Sequence, residues 1–209
     1  MNKILVFGDS IAYGKWDSEG GWVARLRKYV DEKFNIGKEG NVQVYNLGIP
    51  GEVMVRMAER VEREFTERIF PNEKNLVIIA AGINDSCTNN WMTLKQTPES
   101  EFKEAVVKII RTVRNYSCDV CIVGLTPVDE RLFKNLLFNN KDVKKYDGYI
   151  SEVCEEQKVS KIELYDELEK KGYKNMLLDS VHPKAAGHKM IANVVISYLE
   201  NEIATLRQV

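Results

Sequence analysis

Lys3-Ile4-Leu5-Val6-Phe7-Gly8-Asp9-Ser10 is a short apolar run that ends in a polar turn. Ile4 to Phe7 are apolar on consecutive positions, with no polar alternation. A strand of this kind is buried on both faces, as in a parallel sheet covered by helices on either side. Asn75–Ala81 and Asp119–Leu125 have the same character, and Val42–Gly48 and Lys161–Tyr165 complete a set of five strand-like runs. Helical patterns lie between them. Trp22, Leu26, Val30 and Phe34 repeat every four residues, and Met54, Ala58, Val61, Phe65 and Ile69 follow a 3.6-residue period. Thr97-Pro98 reads as a cap and first-turn proline ahead of Phe102, Val106, Ile109 and Val113. Val143, Tyr146, Ile150 and Val153 form another stripe. A last helix starts at Pro183 and buries Ile191, Val194, Val195, Tyr198 and Leu199. Strands alternating with helices predict a five-stranded parallel sheet with right-handed crossovers, a three-layer α/β/α sandwich.

Composition narrows the function. The 209 residues carry 30 basic and 31 acidic side chains, a formal net charge of −1, and suit one domain over 1–209. Near-zero net charge disfavours nucleic acid and anionic membranes as partners. The longest apolar run, Leu76 to Ala81, is far short of the ~20 residues a membrane span needs. No signal-peptide core precedes Gly8, and the four cysteines suit a reducing compartment, so a cytoplasmic location is expected. Cys118-x-x-Cys121 has the spacing of a redox pair. Its setting reads as a strand, not a helix N-terminus, and buried structural thiols are the expectation. With only His182 and His188 in the chain, a histidine-based metal site is hard to build, and no metal is expected.

In an open α/β sheet, ligands sit at the carboxyl ends of the strands. Those ends carry Gly8-Asp9-Ser10, Asn46-Leu47-Gly48, Gly82-Ile83-Asn84-Asp85 and Thr126-Pro127, and a later segment ends in Asp179-Ser180-Val181-His182-Pro183. A serine hydroxyl is a weak nucleophile until a base takes its proton, and an oriented histidine is the usual base. Ser10 lies on a strand-to-helix turn. Asp179 stands three residues before His182, near enough to reach Nδ1 and turn Nε2 toward Ser10. Pro183 as a first helical residue makes His182 a cap, where the helix dipole and Asp179 act on it in opposite senses. Attack on an ester creates an oxyanion, and the candidate donors are the Ser10 and Gly48 backbone N–H groups and the Asn84 side-chain amide. Each residue also has a plain structural reading: Gly48 as a strand end, Asn84 as a turn former, His182 as a cap. His188 is expected to be structural or on the surface. What favours chemistry is that four separate elements end on one edge.

Those four blocks, in that order, resemble the SGNH or GDSL hydrolases. Gly8-Asp9-Ser10 resembles the nucleophile block, Asn46-Leu47-Gly48-Ile49-Pro50-Gly51 the block with the oxyanion glycine, Gly82-Ile83-Asn84-Asp85 the Gly-x-Asn-Asp block, and Asp179-Ser180-Val181-His182-Pro183 the Asp-x-x-His block. The resemblance implies a flavodoxin-like sheet, a Ser10–His182–Asp179 triad, an oxyanion hole of Ser10, Gly48 and Asn84, and no cofactor. It carries Asp85 over as a structural partner only. Ile11 departs from the family's frequent leucine. The expected activity is hydrolysis of a small-molecule acyl ester or thioester through an acyl-enzyme. Transfer of the acyl group to an alcohol shares the same first step. A non-catalytic ligand-binding module is the other alternative, against which no Gly-x-x-x-x-Gly-Lys or Gly-x-Gly-x-x-Gly string follows a strand.

The last expectation concerns the acyl pocket. Leu132, Phe133, Leu136 and Leu137 fall at helical spacing after the fourth strand. They read either as a satellite core or as a cap over Ser10. In the cap reading, Phe133 and Leu136 line the pocket with Trp91 and Met92, and Ile83 beside Asn84 joins them.

Overall fold

The computed structural model describes residues 1–38, 41–88, 95–131 and 138–206. Five parallel strands, β1 (Lys3–Gly8), β2 (Gln43–Gly48), β3 (Asn75–Ala80), β4 (Asp119–Val123) and β5 (Ser160–Ile162), form one sheet in the order β2-β1-β3-β4-β5. That is the flavodoxin-like order, whose switch point lies between β1 and β3. Helices cover both faces. α2 (Gly21–Val30) packs with α7 (Ala185–Leu206), while α3 (Met54–Thr66), α4 (Glu99–Asn115) and α5 (Asn140–Gln157) line up against one another. α1 (Ser10–Tyr13) is a single turn above β1, and α6 (Tyr165–Lys170) follows β5. No helix of the described residues is long and apolar enough to cross a membrane.

Strand β1 is buried along its whole length, Lys3 included. Lys3 is tolerated there because its ammonium pairs with Glu73 and lies 4.5 Å from the centre of the Phe70 ring. In register, Gly8 stands opposite Gly48 on one side and Ala80 on the other, so three strands end level. Small residues here let α1 sit directly on the strand ends. A Cβ built on Gly8 would lie 2.3 Å from that of Ala12, and one on Gly48 would lie 2.5 Å from the Tyr13 nitrogen.

Several local expectations are corrected. The fifth strand lies at Ser160–Ile162, not Lys161–Tyr165, and Tyr165 opens α6. Phe34 follows its apolar stripe out of α2 into a wider π turn, Asp31–Asn35, and Ile69 lies beyond the end of α3. Thr97 does not cap α4. Its hydroxyl donates to Asp85 Oδ1 at 2.7 Å, and Pro98 occupies the cap position. Pro183 does not begin the last helix, which starts two residues later. Pro183 pairs with Leu177 in an isolated antiparallel bridge, so His182 is held by a turn and is no helix cap. Within α7, Ile191, Val195 and Leu199 are buried, while Val194 and Tyr198 are half-buried. All four cysteines are buried, and none of them forms a disulfide.

His188 is fully buried in α7, and neither ring nitrogen has a hydrogen-bond partner among the described residues. Burial disfavours the charged ring and lowers its pKa from 6.5 to about 4, against the opposing pull of Asp17. A folded-state pKa below the unfolded one means that protonation favours unfolding. This contribution is complete above pH 6.5 and is lost as pH falls toward 4. His188→Leu removes the titrating group and leaves no buried polar atom unpaired. Denaturant unfolding of both proteins at a series of pH values should show the wild type losing roughly 3 kcal/mol relative to the variant across that window. A difference that stays constant from pH 7.5 to 4 excludes His188 as the titrating group.

Candidate active site

Ser10 is positioned by the residue before it. Asp9 follows β1 in an extended conformation and caps the α1 turn, its Oδ1 accepting from the Ile11 N–H at 2.8 Å. The turn closes at Gly14, whose φ of 89° is left-handed and whose N–H donates back to the Ser10 and Ile11 carbonyls. Ser10 is thereby fixed at the carboxyl edge of the sheet, 5% exposed. Burial raises the pKa of the Asp9 carboxyl to about 6, while the Ile11 N–H opposes the rise.

His182 arrives from the other end of the chain. The Leu178 N–H donates to the His182 carbonyl at 2.8 Å and the Lys184 N–H to the Met176 carbonyl at 2.7 Å, which folds residues 176–184 into a tight hairpin. Asp179 fills its interior. Oδ1 accepts from the Val181 and His182 backbone N–H groups at 2.9 and 2.7 Å, and Oδ2 lies 2.6 Å from His182 Nδ1. Burial raises the Asp179 pKa, but the His182 ring and these two backbone donors outweigh it and bring it down to about 2. The carboxylate is ionised at neutral pH and can only accept, so Nδ1 carries the ring proton of the neutral imidazole. Nε2 then has its lone pair directed at Ser10 Oγ, 2.9 Å away. Residues 172 positions apart in the chain are joined in one hydrogen-bonded line.

The two further donors proposed from sequence lie at the carboxyl ends of the two strands that flank β1, Gly48 at the end of β2 and Asn84 in the turn after β3. The Gly48 N–H donates to Asn46 Oδ1 at 3.0 Å, and the Asn46 amide in turn donates to the Ala12 carbonyl at 2.9 Å, binding the end of β2 to α1. Asn84 lies in the turn after β3 and donates one N–H of its amide to the Glu52 carbonyl at 3.0 Å. Asp85 beside it is fully buried. It accepts from the Met54 N–H at the start of α3 and from the Thr97 hydroxyl before α4, so it ties two helix N-termini to the β3 turn. Burial raises its pKa to about 7 in spite of both donors.

Ile83 is 2% exposed and packs in the core, where it lines a small cavity of about 30 Å³ with Asp9, Trp22 and Thr126. Its side chain offers a substrate next to no surface. Trp91, Met92, Phe133 and Leu136 lie outside the described residues. Sequence reading missed Asn46 as a side-chain bridge, and it missed the buried pair of Glu52 and Arg60. Asn46 stood in the motif but only as a marker. Glu52 and Arg60 are eight residues apart across the start of a helix, and no local pattern signals that such a glutamate is buried. The four-residue spacing of Arg60 and Glu64 was the readable part of that cluster.

The fold is shared with solved structures at low identity. A lipase/acylhydrolase from Enterococcus faecalis superposes with a TM-score of 0.76 at 19% identity, covering 97% of each chain. A member of the lipolytic protein G-D-S-L family from Veillonella parvula gives 0.71 at 19%, covering 94% of this chain and 97% of that one. An acetylxylan esterase from Geobacillus stearothermophilus gives 0.72 at 20%, covering 94% and 93%. At such identities the likeness is one of fold. No curated protein matches the chain significantly. A family model matches residues 6–190, a span that runs from β1 through the His182 hairpin, and with that match the chain belongs to the GDSL-like lipase/acylhydrolase family of carboxylic-ester hydrolases.

Proposed function

We propose that the chain hydrolyses its acyl ester through a Ser10–His182–Asp179 triad and an acyl-enzyme. The observation that carries this reading is the unbroken line from Ser10 Oγ through the His182 ring to Asp179, with contacts of 2.9 and 2.6 Å. His182 Nε2 takes the hydroxyl proton as Ser10 Oγ bonds to the carbonyl carbon, and the carbonyl π pair moves onto oxygen. As the tetrahedral species collapses, the bond to the leaving group breaks and His182 returns the proton to it. Water, deprotonated by the same nitrogen, then releases the acid from Ser10. Asp179 stays ionised throughout, holding the Nδ1–H tautomer and stabilising the imidazolium.

The oxyanion falls to the Ser10 and Gly48 N–H groups and the Asn84 amide. The Gly48 N–H donates to a neutral amide oxygen of Asn46, and a charged oxyanion is the stronger acceptor. Contact with the apolar parts of the substrate is assigned to Tyr13, Ile49 and Leu178. They are 56%, 39% and 54% exposed and lie on the segments that carry Ser10, Gly48 and Asp179. Four buried cysteines outside any disulfide support work in a reducing compartment such as the cytoplasm.

Ser10→Ala and His182→Ala should each lower kcat/KM toward p-nitrophenyl acetate by about a thousandfold or more while leaving thermal unfolding near that of the wild type. A fluorophosphonate should label wild-type Ser10 stoichiometrically and leave Ser10→Ala unlabelled. Retention of more than about a hundredth of wild-type kcat/KM by Ser10→Ala, under ~2.7 kcal/mol of barrier, rules out the nucleophile.

Asn84→Ala should lower kcat by roughly 10²- to 10³-fold with little change in KM, because the oxyanion exists only beyond the ground state. Steady-state kinetics on the same ester separates the two parameters. A change confined to KM would assign Asn84 to substrate binding instead.

A further inference from the structure

Arg60 lies on α3, yet its guanidinium reaches the strand end that carries Gly48 and the side chain of Glu52, whose carbonyl holds Asn84. Nη2 donates to the Leu47 carbonyl at 3.0 Å, Nε to Glu52 Oε2 at 2.5 Å and Nη1 to Glu64 Oε1 at 2.9 Å. The Glu52 side chain is 1% exposed and that of Arg60 16%. The guanidinium also lies 5.3 Å from the centre of the Phe7 ring, one residue before Gly8. The Leu47 carbonyl belongs to the same peptide group as the Gly48 N–H. The Glu52 carbonyl is the acceptor that holds the Asn84 amide. One planar, rigid cation thus grips the peptide that presents one oxyanion donor and the residue that anchors the other.

We propose that Arg60, with Glu52, is a positioning residue for the oxyanion hole. The inference rests on the assignment of Gly48 and Asn84 given above. Donation to the Leu47 carbonyl fixes the plane of the Leu47–Gly48 peptide and polarises it, which makes the Gly48 N–H a stronger donor. The ion pair with Glu52 fixes the segment between β2 and α3, and through the Glu52 carbonyl it sets the plane of the Asn84 amide. The fork of donors matters here as much as the charge. A lysine in its place keeps the attraction to Glu52 but presents no rigid planar fork spanning both acceptors. Donors misplaced by a fraction of an ångström lose stabilisation in the transition state and little in the ground state.

The test is a double-mutant cycle of Arg60→Lys with Asn84→Ala, using p-nitrophenyl acetate as the probe. Arg60→Lys should lower kcat by about 10- to 100-fold and leave KM within about twofold. It should still be labelled stoichiometrically by a fluorophosphonate. In the Asn84→Ala background the same substitution should lower kcat by a factor more than threefold smaller, because one donor it positions is gone. Losses that agree within about threefold in the two backgrounds overturn the inference, as does unchanged kcat in Arg60→Lys. Lys161→Met breaks another buried ion pair, on the edge strand β5 far from α3. It should lower the melting temperature and keep wild-type kcat. An equal loss of kcat there would mean that general destabilisation explains Arg60. Should Arg60→Lys fail to fold, Glu52→Gln, which keeps a neutral acceptor for Nε, reads the same cycle with the same criteria. If Asn84→Ala alone leaves kcat intact, the oxyanion assignment falls and the positioning role falls with it. If Asn84→Ala is damaging and the cycle is additive, the positioning role falls alone.

Discussion

No side chain fits between the α1 turn and the ends of the strands beneath it, and the rest of the site depends on that closeness. Gly8 and Gly48 stand opposite each other in register, and a Cβ on either would run into α1. The turn therefore rests on backbone. Ser10 sits where a helix begins directly over the end of β1, and the Gly48 peptide lies against the Tyr13 nitrogen and the Asp9 carbonyl. Ser10 and the Gly48 peptide, the proposed nucleophile and backbone donor, are brought together by two missing methyl groups. Packing of this kind is far stiffer than a loop, and reacting groups need such stiffness.

Carboxylates do the cross-bracing around this contact. Asp9 caps α1, Asp85 joins the β3 turn to the starts of α3 and α4, Glu52 pairs with Arg60, and Asp179 fills the His182 hairpin. Their surroundings treat them differently. Asp179 is met by three donors, including the histidine ring, and its pKa falls to about 2. Asp9 and Asp85 are met by neutral donors in a buried setting, and burial wins, raising them to about 6 and 7. The His182 ring is thus oriented by a carboxylate that stays charged, while the charge of the two inner carboxyls is disfavoured.

Much of this was legible in the residues. Runs such as Ile4 to Phe7 and Leu76 to Ala81, short and bounded by turn residues, read as doubly covered strands, and the intervening 3.6-residue stripes read as helices. The parallel sheet followed from those two periods. The placement of Ser10, Asn84 and His182 at strand ends and in loops followed from the punctuation around them. Boundaries were less legible. Thr97-Pro98 and His182-Pro183 both look like helix starts, because the local rule knows nothing of a buried Asp85 that claims the Thr97 hydroxyl. Nor does it know of a hairpin that pairs Pro183 with Leu177.

Strands, helices, their alternation and the residue types gathered on one edge are local properties, because hydrophobic period and turn chemistry act over a few neighbouring residues. Which of these groups touch depends on the folded chain as a whole. The 2.9 Å contact of Ser10 with His182 joins residues 172 positions apart, and the grip of Arg60 on the Leu47 carbonyl and on Glu52 crosses from a helix to a strand end. The folded chain also decides that Ile83 and His188 are core residues. Contacts and burial of this kind depend on how distant segments are superposed in space, and no local pattern along the chain encodes that superposition.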